Sequence, residues 1–291
     1  MNTETKPLPS SIQAAIEAMP LLPALVQRLV ALDMSADGAY DEVVEIAEED
    51  PVFAARILAL ANSAFLAPSE EITSIGQAVA RVGAWRVGEL ATAMAMMDVF
   101  SADGESAGLL WRHSLEVAIG ARSLAKITGA ESGAAYIAGL VHDLGRMVML
   151  AAGGEAAALA GNMVEVGGAD QLSVHLEDER LGFDHAEVGA RTARHIGLPE
   201  KFAALIAAHH DVEPGEADPA LVALLQVADA LSVFVHVTPD AFEGDDLLAS
   251  AQSVLGAVAL AVPLDAAALS AAIPGILEEA SRAAGGLGAN S

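Results

Sequence analysis

Five histidines and two aspartates between residues 113 and 229 are of the residue types that bind divalent metal ions. Each lies inside or at the edge of a segment whose apolar residues recur with helical spacing. Burying imidazoles and carboxylates costs free energy unless something pairs with them, and one bound cation can pair with several at once. If they converge, these residues predict a site for one or two cations: His113, His142, Asp143, His185, His209, His210 and Asp229.

Helical phase predicts that these side chains point inward. His113 lies on the apolar face of its predicted helix, where Gly120, two turns later, would admit a neighbouring helix. His209 and His210 each follow an apolar residue by one turn. Asp229 lies in a helix whose interior is otherwise apolar, so its carboxylate needs a cation or several donors.

The adjacent pair His142 and Asp143 lies between two glycines, Gly139 and Gly145. Neither glycine carries a side chain, so we expect helices to approach closely on both sides of the pair. Adjacent residues of a helix point in different directions, yet both can reach one ion placed over the groove between them.

Each candidate also has an ordinary structural interpretation. A single inward histidine is more often a hydrogen-bonded core residue than a ligand, and Asp229 could pair with Arg122. The occurrence of all seven residues together in an alanine-rich chain favours metal binding. The remaining three histidines lie at a helix end or in a charged segment, and we exclude them from the site: His175, His195 and His236.

Composition narrows the classes of function. The chain has 291 residues, of which 54% are hydrophobic, and its formal charge of −26 repels nucleic acids and anionic lipids. It contains no cysteine, which leaves only nitrogen and oxygen ligands and fits a cytoplasmic protein. No segment is typical of a signal peptide or a membrane span. We therefore expect no nucleic-acid partner and no membrane association.

The spacing of apolar residues predicts an all-α protein, with a break at residues 101–108. We expect an N-terminal helical bundle packed against a second bundle, followed by a C-terminal helical extension. Asn62, near a turn, should be buried and bond to backbone groups at a helix end. The predicted helices are Ser11–Leu32, Asp41–Glu49, Pro51–Asn62, Ile75–Arg81, Trp85–Phe100, Leu109–Thr128, Ser132–Ala151, Gly154–Val166, Gln171–Leu181, Ala186–Ile196, Glu200–His210 and Pro219–Val235, with weaker patterns at Asp245–Val262 and Asp265–Ala283.

The histidine–aspartate set resembles the HD superfamily of metal-dependent phosphohydrolases, and several further motifs are similar to the HDOD domain family in particular. The Asn62-Ser63-Ala64 segment separates that family from simple HD hydrolases. The motifs that carry the resemblance, in chain order, are Met19-Pro-Leu-Leu-Pro23, Glu49-Asp-Pro51, Leu58-Ala-Leu-Ala-Asn-Ser-Ala-Phe65, Ile72-Thr-Ser-Ile75, Leu110-Trp-Arg-His113, Ala138-Gly-Leu-Val-His-Asp-Leu-Gly145, Gly182-Phe-Asp-His-Ala-Glu-Val-Gly189, Gly197-Leu-Pro199 and His209-His210.

The resemblance implies an HDOD domain over residues 11–237, with an N-terminal part at 11–100 and an HD-type metal-site part at 109–237. Residues 238–283 would form the helical extension, and residues 1–10 and 284–291 would be disordered. By this resemblance His113, His142, Asp143 and Asp229 would hold one cation, and Asp143 would bridge to a second. The second cation would be bound by His185, His209 and His210. Each of the two cations would be Fe, Mn, Zn, Ni or Mg.

Two functions remain open from the sequence. HDOD domains are regarded as bacterial signalling output modules, which implies a regulatory module with signalling proteins as partners, and this is the interpretation that we favour. The alternative is a phosphohydrolase acting on a nucleotide or other phosphoester, with Asp143 in the metal site and with Arg112 and Arg146 steadying the phosphate. No Gly-Tyr-Pro follows the His209-His210 pair, which disfavours cyclic di-GMP hydrolysis.

Overall fold

Helices are the only regular secondary structure in the described part of the chain, for which the structure is a computed structural model. It comprises residues 7–34, 36–63, 66, 68, 71–99, 105–166, 170–211, 214–237, 271–272, 274–276 and 278–279. No strand occurs within these ranges, which confirms the all-α prediction. The expectations for residues 1–6 and 284–291, and for most of 238–283, lie outside the described residues.

The helices fall into two compact units. The smaller unit, Leu21–Val99 with Gly197–Pro199, contains α2 (Ala24–Ala31), α3 (Ala39–Glu48), α4 (Pro51–Ala61), α5 (Ile75–Val82) and α6 (Ala84–Val99). The larger unit, which holds the rest, contains α1 (Ser10–Ala18), α7 (Glu105–Thr128), α8 (Ser132–Val141), α9 (Leu144–Ala152), α10 (Gly154–Val166), α11 (Asp170–Leu181), α12 (His185–Ile196), α13 (Glu200–Ala208) and α14 (Pro219–Val237).

The single helix predicted over Ser11–Leu32 is wrong, because residues 19–23 separate α1 from α2. Pro20 and Pro23 lack the amide hydrogen that a helix interior requires and disfavour helical conformation in the preceding residue. The break allows α1 to join the larger unit, where Ile12 and Ile16 are buried beside Phe183. The sequence had placed this segment with the N-terminal helices.

In the smaller unit, polar side chains define both ends of α4. The carboxylate of Asp50 accepts hydrogen bonds from the amides of Val52 at 2.8 Å and Phe53 at 3.0 Å, which caps the first turn. At the other end, Asn62 Nδ2 donates to the carbonyls of Leu58 at 3.0 Å and Ile72 at 2.8 Å, and its Oδ1 accepts from Ile72 N at 2.8 Å. The predicted backbone bonding of Asn62 is present, although the residue is only partly buried.

In the larger unit, glycines bring the helices that flank the candidate site into backbone contact. A Cβ on Gly139 of α8 would lie 2.6 Å from Ala118 Cα of α7, and one on Gly145 of α9 would lie 1.9 Å from the carbonyl oxygen of His185. Gly120 of α7 faces Ala228 of α14, where an added Cβ would be 3.2 Å from the Ala228 Cβ. These approaches fix the distances between the helices that carry the candidate ligands.

One stretch of the larger unit, Ser132–Ala152, is long and apolar enough by composition to cross a membrane. Its most apolar window is 89% buried inside the protein, as expected for the core helices of a globular fold. This stretch is also not one helix. The prediction of a continuous helix over Ser132–Ala151 is wrong, because α8 ends at Val141 and α9 begins at Leu144.

Candidate metal centre

The break between α8 and α9 consists of His142 and Asp143, the two residues that give the site its centre. Asp143 adopts φ −94° and ψ 19°, outside helical geometry, and its carbonyl oxygen accepts from Arg146 N at 3.0 Å. The sequence predicted that both residues lie within one helix. They form a turn instead, and both side chains face the same region. Both residues are buried.

The first group of candidate ligands joins α7, the turn and α14. His113 Nε2 lies 3.0 Å from Asp229 Oδ1 and 3.3 Å from His142 Nε2, and Asp229 Oδ1 lies 3.8 Å from His142 Nε2. The ligand atoms of these three residues all lie within 4.8 Å of one another. We call this group the first triad. Its members are 29 and 87 residues apart along the chain, and the fold brings them to one point.

The second group consists of His185, His209 and His210, which we call the second triad. His185 is the first residue of α12, and the other two follow the end of α13. His185 Nε2 lies 2.7 Å from His210 Nε2, and the ligand atoms of the triad all lie within 4.8 Å of one another. The triads adjoin, because the rings of His142 and His209 meet edge to face with their centroids 5.4 Å apart.

Asp143 lies between the two triads. Its Oδ2 is 3.7 Å from both His113 Nε2 and His142 Nε2, and its Oδ1 is 3.4 Å from His185 Nε2. Each carboxylate oxygen therefore faces a different triad. This is the placement required of a carboxylate that bridges two cations, which lie about 3.5–4 Å apart in two-metal sites.

Hydrogen bonds on the far side of the rings determine which nitrogen faces the site. The Nδ1 atoms of His142 and His209 lie 2.8 Å and 2.6 Å from the carbonyl oxygens of Gly139 and Ile206. The Nδ1 of His185 lies 2.7 Å from a carboxylate oxygen of Glu177. Because these oxygens only accept, each Nδ1 is assigned the hydrogen, and in the neutral ring Nε2 then presents its lone pair to the site.

A longer chain of hydrogen bonds holds His113 in the same way. Ser232 Oγ donates to Glu116 Oε2 at 2.7 Å, so the hydroxyl hydrogen is already used. The hydroxyl oxygen can therefore accept from His113 Nδ1, which lies 3.1 Å away. Ring nitrogens of metal-binding histidines are commonly oriented by such outer partners.

Four residues that support the ligands were missed by the sequence analysis: Ser173, Glu177, Glu116 and Ser232. All four are buried. Glu177 binds both the ring and the backbone amide of His185, at 2.7 Å and 2.9 Å. Ser173 and Glu177 are one turn apart on the inward face of α11, and this spacing of two polar residues was the available signal.

Burial and neighbouring charges set the protonation of the turn residues. Burial, opposed only in part by Asp143, lowers the pKa of His142 to about 3, so this ring is neutral at physiological pH. Burial alone would raise the pKa of Asp143, but Arg146, His142 and His185 hold it well below its usual range. Burial would likewise raise the pKa of Glu177, yet the hydrogen bond and charge of His185 lower it.

Arg146 is placed differently from a phosphate-binding residue. Its guanidinium is buried, with Nε 2.9 Å from Asp143 Oδ1, Nη2 2.8 Å from Ser173 Oγ and Nη1 3.5 Å from Glu177 Oε1. These contacts hold the Asp143 carboxylate in position. Arg112, the other arginine suggested for phosphate, is exposed on α7.

The competing interpretation of Asp229 is not supported, because Asp229 faces His113 while Arg122 Nη2 pairs with Glu279 Oε1 at 2.6 Å. The excluded histidines also lie elsewhere. His175 is exposed, and His195 Nε2 lies 3.3 Å from the carbonyl oxygen of Met19. The side chain of His236 lies outside the described residues.

The donor set fits a divalent metal ion. At the first triad the lone pairs of two imidazoles and an anionic carboxylate point at one another across 3.0–3.8 Å. With these tautomers, acceptors face one another unless a proton or a metal ion lies between them, and burial opposes a proton on His142. A metal ion would satisfy all three ligands at once, and the histidine–aspartate clusters could therefore bind one.

A family comparison agrees with this geometry. Residues 19–212 match the model of the HDOD domain. The chain belongs to the HDOD family. The match includes His113, His142, Asp143 and the whole second triad, whereas Asp229 lies beyond it.

Individual HDOD proteins and other relatives resemble the chain over most of its length. A solved HDOD domain protein of unknown function from Geobacter sulfurreducens is 25% identical, with a TM-score of 0.69 over 94% of this chain and 97% of the other. A candidate phosphohydrolase from Shewanella amazonensis SB2B is 26% identical, with a TM-score of 0.68 over 93% and 96%. An uncharacterised protein of Treponema pallidum is 27% identical over 73% of this chain, which spans only 41% of that relative.

Proposed function

We propose that this HDOD protein is a signal-transduction output module whose larger unit binds a divalent metal ion and whose smaller unit binds signalling proteins. The proposal of metal binding rests on one observation, the convergence of imidazole lone pairs on Asp229 and Asp143. Each of four rings is oriented by a partner on its far side. A core that merely contained histidines would not need to aim these nitrogens at one another.

The residues of the first triad, together with Asp143 Oδ2, would hold one cation, and the second triad with Asp143 Oδ1 would hold another. Five imidazoles among seven ligands favour iron, zinc or nickel over magnesium, which prefers oxygen ligands and water. Because the ligands come from α7, the turn between α8 and α9, α12, the end of α13 and α14, bound metal would stabilise the larger unit according to its affinity and concentration.

Two features support a regulatory role over catalysis. Arg146 is engaged by Asp143, Ser173 and Glu177, so its guanidinium positions a ligand instead of facing a substrate. In the described part of the chain, three of the four exposed large apolar side chains lie in the smaller unit, namely Leu21, Tyr40 and Val52. Exposed apolar side chains of this kind are suited to binding another protein.

A second candidate function is a metal-dependent phosphohydrolase acting on a nucleotide or other phosphoester. It is favoured by the position of Asp143, which has one oxygen toward each triad as in two-metal hydrolases. The similarity to the candidate phosphohydrolase of Shewanella amazonensis points in the same direction. In this case bound cations would supply an activated water, while Arg146 would keep Asp143 in place and Glu177 would orient His185.

Metal content and hydrolysis, measured on the same preparations, test both candidates. We expect the purified protein to contain transition metal and to leave a generic phosphodiester and a panel of nucleotides intact. Replacing His142 and Asp143 with alanine should remove the metal, whereas the exposed His175→Ala variant should retain it. A wild-type protein without affinity for any of the five metals would refute the metal site. Turnover at enzymatic rates that the double substitution abolishes would establish the hydrolase instead.

The smaller unit is tested separately. Leu21→Ser and Val52→Ser each replace an exposed apolar side chain, so the fold and the metal content should be unchanged. Under the module proposal they should weaken crosslinking of the protein to signalling partners in cells. The His142→Ala, Asp143→Ala double variant should retain that crosslinking if it remains folded. The opposite pattern would contradict the assignment of partner binding to the smaller unit.

A further inference from the structure

A short helical segment beyond α14 lies against the helices that carry the first triad. We call the described residues between 271 and 279 the C-terminal segment, and they belong to the larger unit. Among these described residues Ile276 alone is buried, with 5% of its surface exposed. A Cβ on Gly120 of α7 would lie 3.2 Å from the Cβ of Ala228 on α14 and 3.8 Å from Ile276 Cγ2. Ile276 therefore lies beside the close approach of α7 and α14.

A second contact of the segment pairs opposite charges. Arg122 of α7 is buried, and its Nη2 lies 2.6 Å from Oε1 of Glu279, whose side chain is 43% exposed. The Cζ of Arg122 also lies 5.2 Å from the centre of the Tyr136 ring on α8, within range of a cation–π interaction. A guanidinium keeps its charge when buried, so removing a carboxylate from it costs more than at an exposed position. The segment therefore contacts α7 and α14 directly and α8 through Arg122.

The contact of α7 with α14 extends from Ile276 along both helices. Gly120 faces Ala228. One turn earlier on α7, Glu116 accepts a hydrogen bond at 2.7 Å from Ser232 Oγ, which lies one turn later on α14. The two helices are antiparallel, because these contacts run in opposite directions along their sequences. A change in the separation of α7 and α14 at one of these contacts is therefore felt at the other.

The same three helices bring together the ligands of the first triad. His113 belongs to α7, Asp229 belongs to α14, and His142 directly follows α8. Ser232 Oγ, part of the contact between α7 and α14, lies 3.1 Å from His113 Nδ1. A cation held by the three ligands would favour one separation of α7, α8 and α14. That separation is also the one at which the C-terminal segment docks.

The C-terminal segment is held less firmly than the core helices. Among its described residues, those other than Ile276 are exposed or half-buried. The carboxylate of Glu279 reaches Arg122 from the surface, where water screens part of its charge. Segments with few buried apolar contacts are those that open locally at low cost. Docking of this segment is therefore suited to respond to a change elsewhere in the larger unit.

We propose that a cation at the first triad and docking of the C-terminal segment strengthen each other, so that loading the centre raises the docked population. The inference rests on the proposed metal binding and adds how a loaded centre changes the surface of the protein. A ligand that binds one arrangement of packed helices more tightly shifts the population toward that arrangement. The coupling is reciprocal, and a factor of roughly 5- to 150-fold is typical of coupled sites. A partner would then meet different surfaces on the loaded and the empty protein.

The first test measures zinc affinity by competition with a chelating dye. The parent protein is His210→Ala, which lacks one ligand of the second triad, so that binding reports on the first. We expect Glu279→Gln to weaken zinc binding at least ~5-fold, because it removes the carboxylate beside the buried Arg122. Ile276→Ser, which places a hydroxyl in the buried contact, should do the same. The matched control Glu216→Gln removes the same charge from an exposed position of the larger unit and should change nothing.

The second test follows the segment itself. The chain contains no cysteine, so Ala271→Cys, at an exposed residue of the segment, gives one site for a fluorophore. Fluorescence anisotropy should rise as zinc loads, because a docked segment moves less than a released one. In Asp229→Asn, which lacks the carboxylate of the first triad, zinc bound at the second triad should leave the anisotropy unchanged. If His210→Ala fails to fold, the affinity comparison is made in the wild-type protein, where at least one zinc affinity should fall.

Each outcome supports or overturns a defined step. Equal zinc affinities of the Glu279→Gln and Glu216→Gln variants, whether both are unchanged or both are weakened, would overturn the coupling and leave metal binding intact. An anisotropy that zinc leaves unchanged in the labelled protein would overturn it as well. A rise that persists in Asp229→Asn would overturn the assignment to the first triad. No zinc binding in any of the proteins, wild type included, would refute the proposed metal function itself, and the inference with it.

Discussion

Substituting alanine for Gly145 should disrupt the candidate centre through the backbone alone. The added Cβ would lie 1.9 Å from the carbonyl oxygen of His185 and 2.7 Å from Gly189 N, both backbone atoms of the α12 segment. Ordinary contacts begin near 3.5 Å, so α9 and α12 must separate by roughly 1.5 Å. Overpacking of a core typically costs about 1–3 kcal/mol of stability. Backbone atoms cannot rotate away as a side chain can, so this clash should cost ~3 kcal/mol or more.

The matched control is Gly108→Ala, also in a helix, where an added Cβ meets nothing within 4 Å. It should be neutral or stabilise the protein by up to about 1 kcal/mol through helix propensity. Urea denaturation of the metal-free proteins gives both free energies of unfolding, and Co²⁺ titration reports the site. The separation also displaces His185 from Asp143, so affinity should fall in Gly145→Ala only. Equal stability and equal Co²⁺ affinity in the two variants would refute the backbone contact between α9 and α12.

Three further predictions address the supporting residues. Glu177→Gln keeps an oxygen that can accept from the ring and the backbone amide of His185, but it removes the negative charge and places an NH2 group toward Arg146 Nη1. Affinity of the second triad should therefore fall about 10- to 100-fold while that of the first is unchanged, and a uniform loss at both would contradict this role. Ile276→Ala should cost about 2 kcal/mol in urea denaturation, because Ile276 is buried near Gly120 of α7, and an unchanged midpoint would mean that the C-terminal segment does not dock there. The folded-state pKa of His142, about 3, lies below the ordinary histidine value of 6.5, so the unfolded chain binds the proton first as pH falls. Stability of the metal-free protein should therefore decrease from pH 6.5 toward pH 3, by ~1.4 kcal/mol at about pH 5.5 from this residue, and a flat profile matching that of His142→Asn would count against its burial.

The sequence by itself determined the helical class and most helix positions, because periodic burial, Asp50 as a cap and glycine at close approaches are local properties of the chain. It also identified the candidate ligands, since burial of so many imidazoles and carboxylates is costly unless they are paired. The break at Pro20–Pro23 was marked by its prolines and was overlooked, whereas local pattern could not locate the break at His142–Asp143. The second break carries no proline, and apolar periodicity continues across it.

The family resemblance already implied how the ligands divide, but only the tertiary structure decided the distances between them. His113 and Asp229 are 116 residues apart in the chain, and their convergence depends on how closely α7 and α14 pack at Gly120, which is a property of two helices together. The same holds for Arg146, which the sequence suggested for phosphate and the fold places on Asp143. A side chain's partners depend on its distance from other helices, and helical phase sets only its direction.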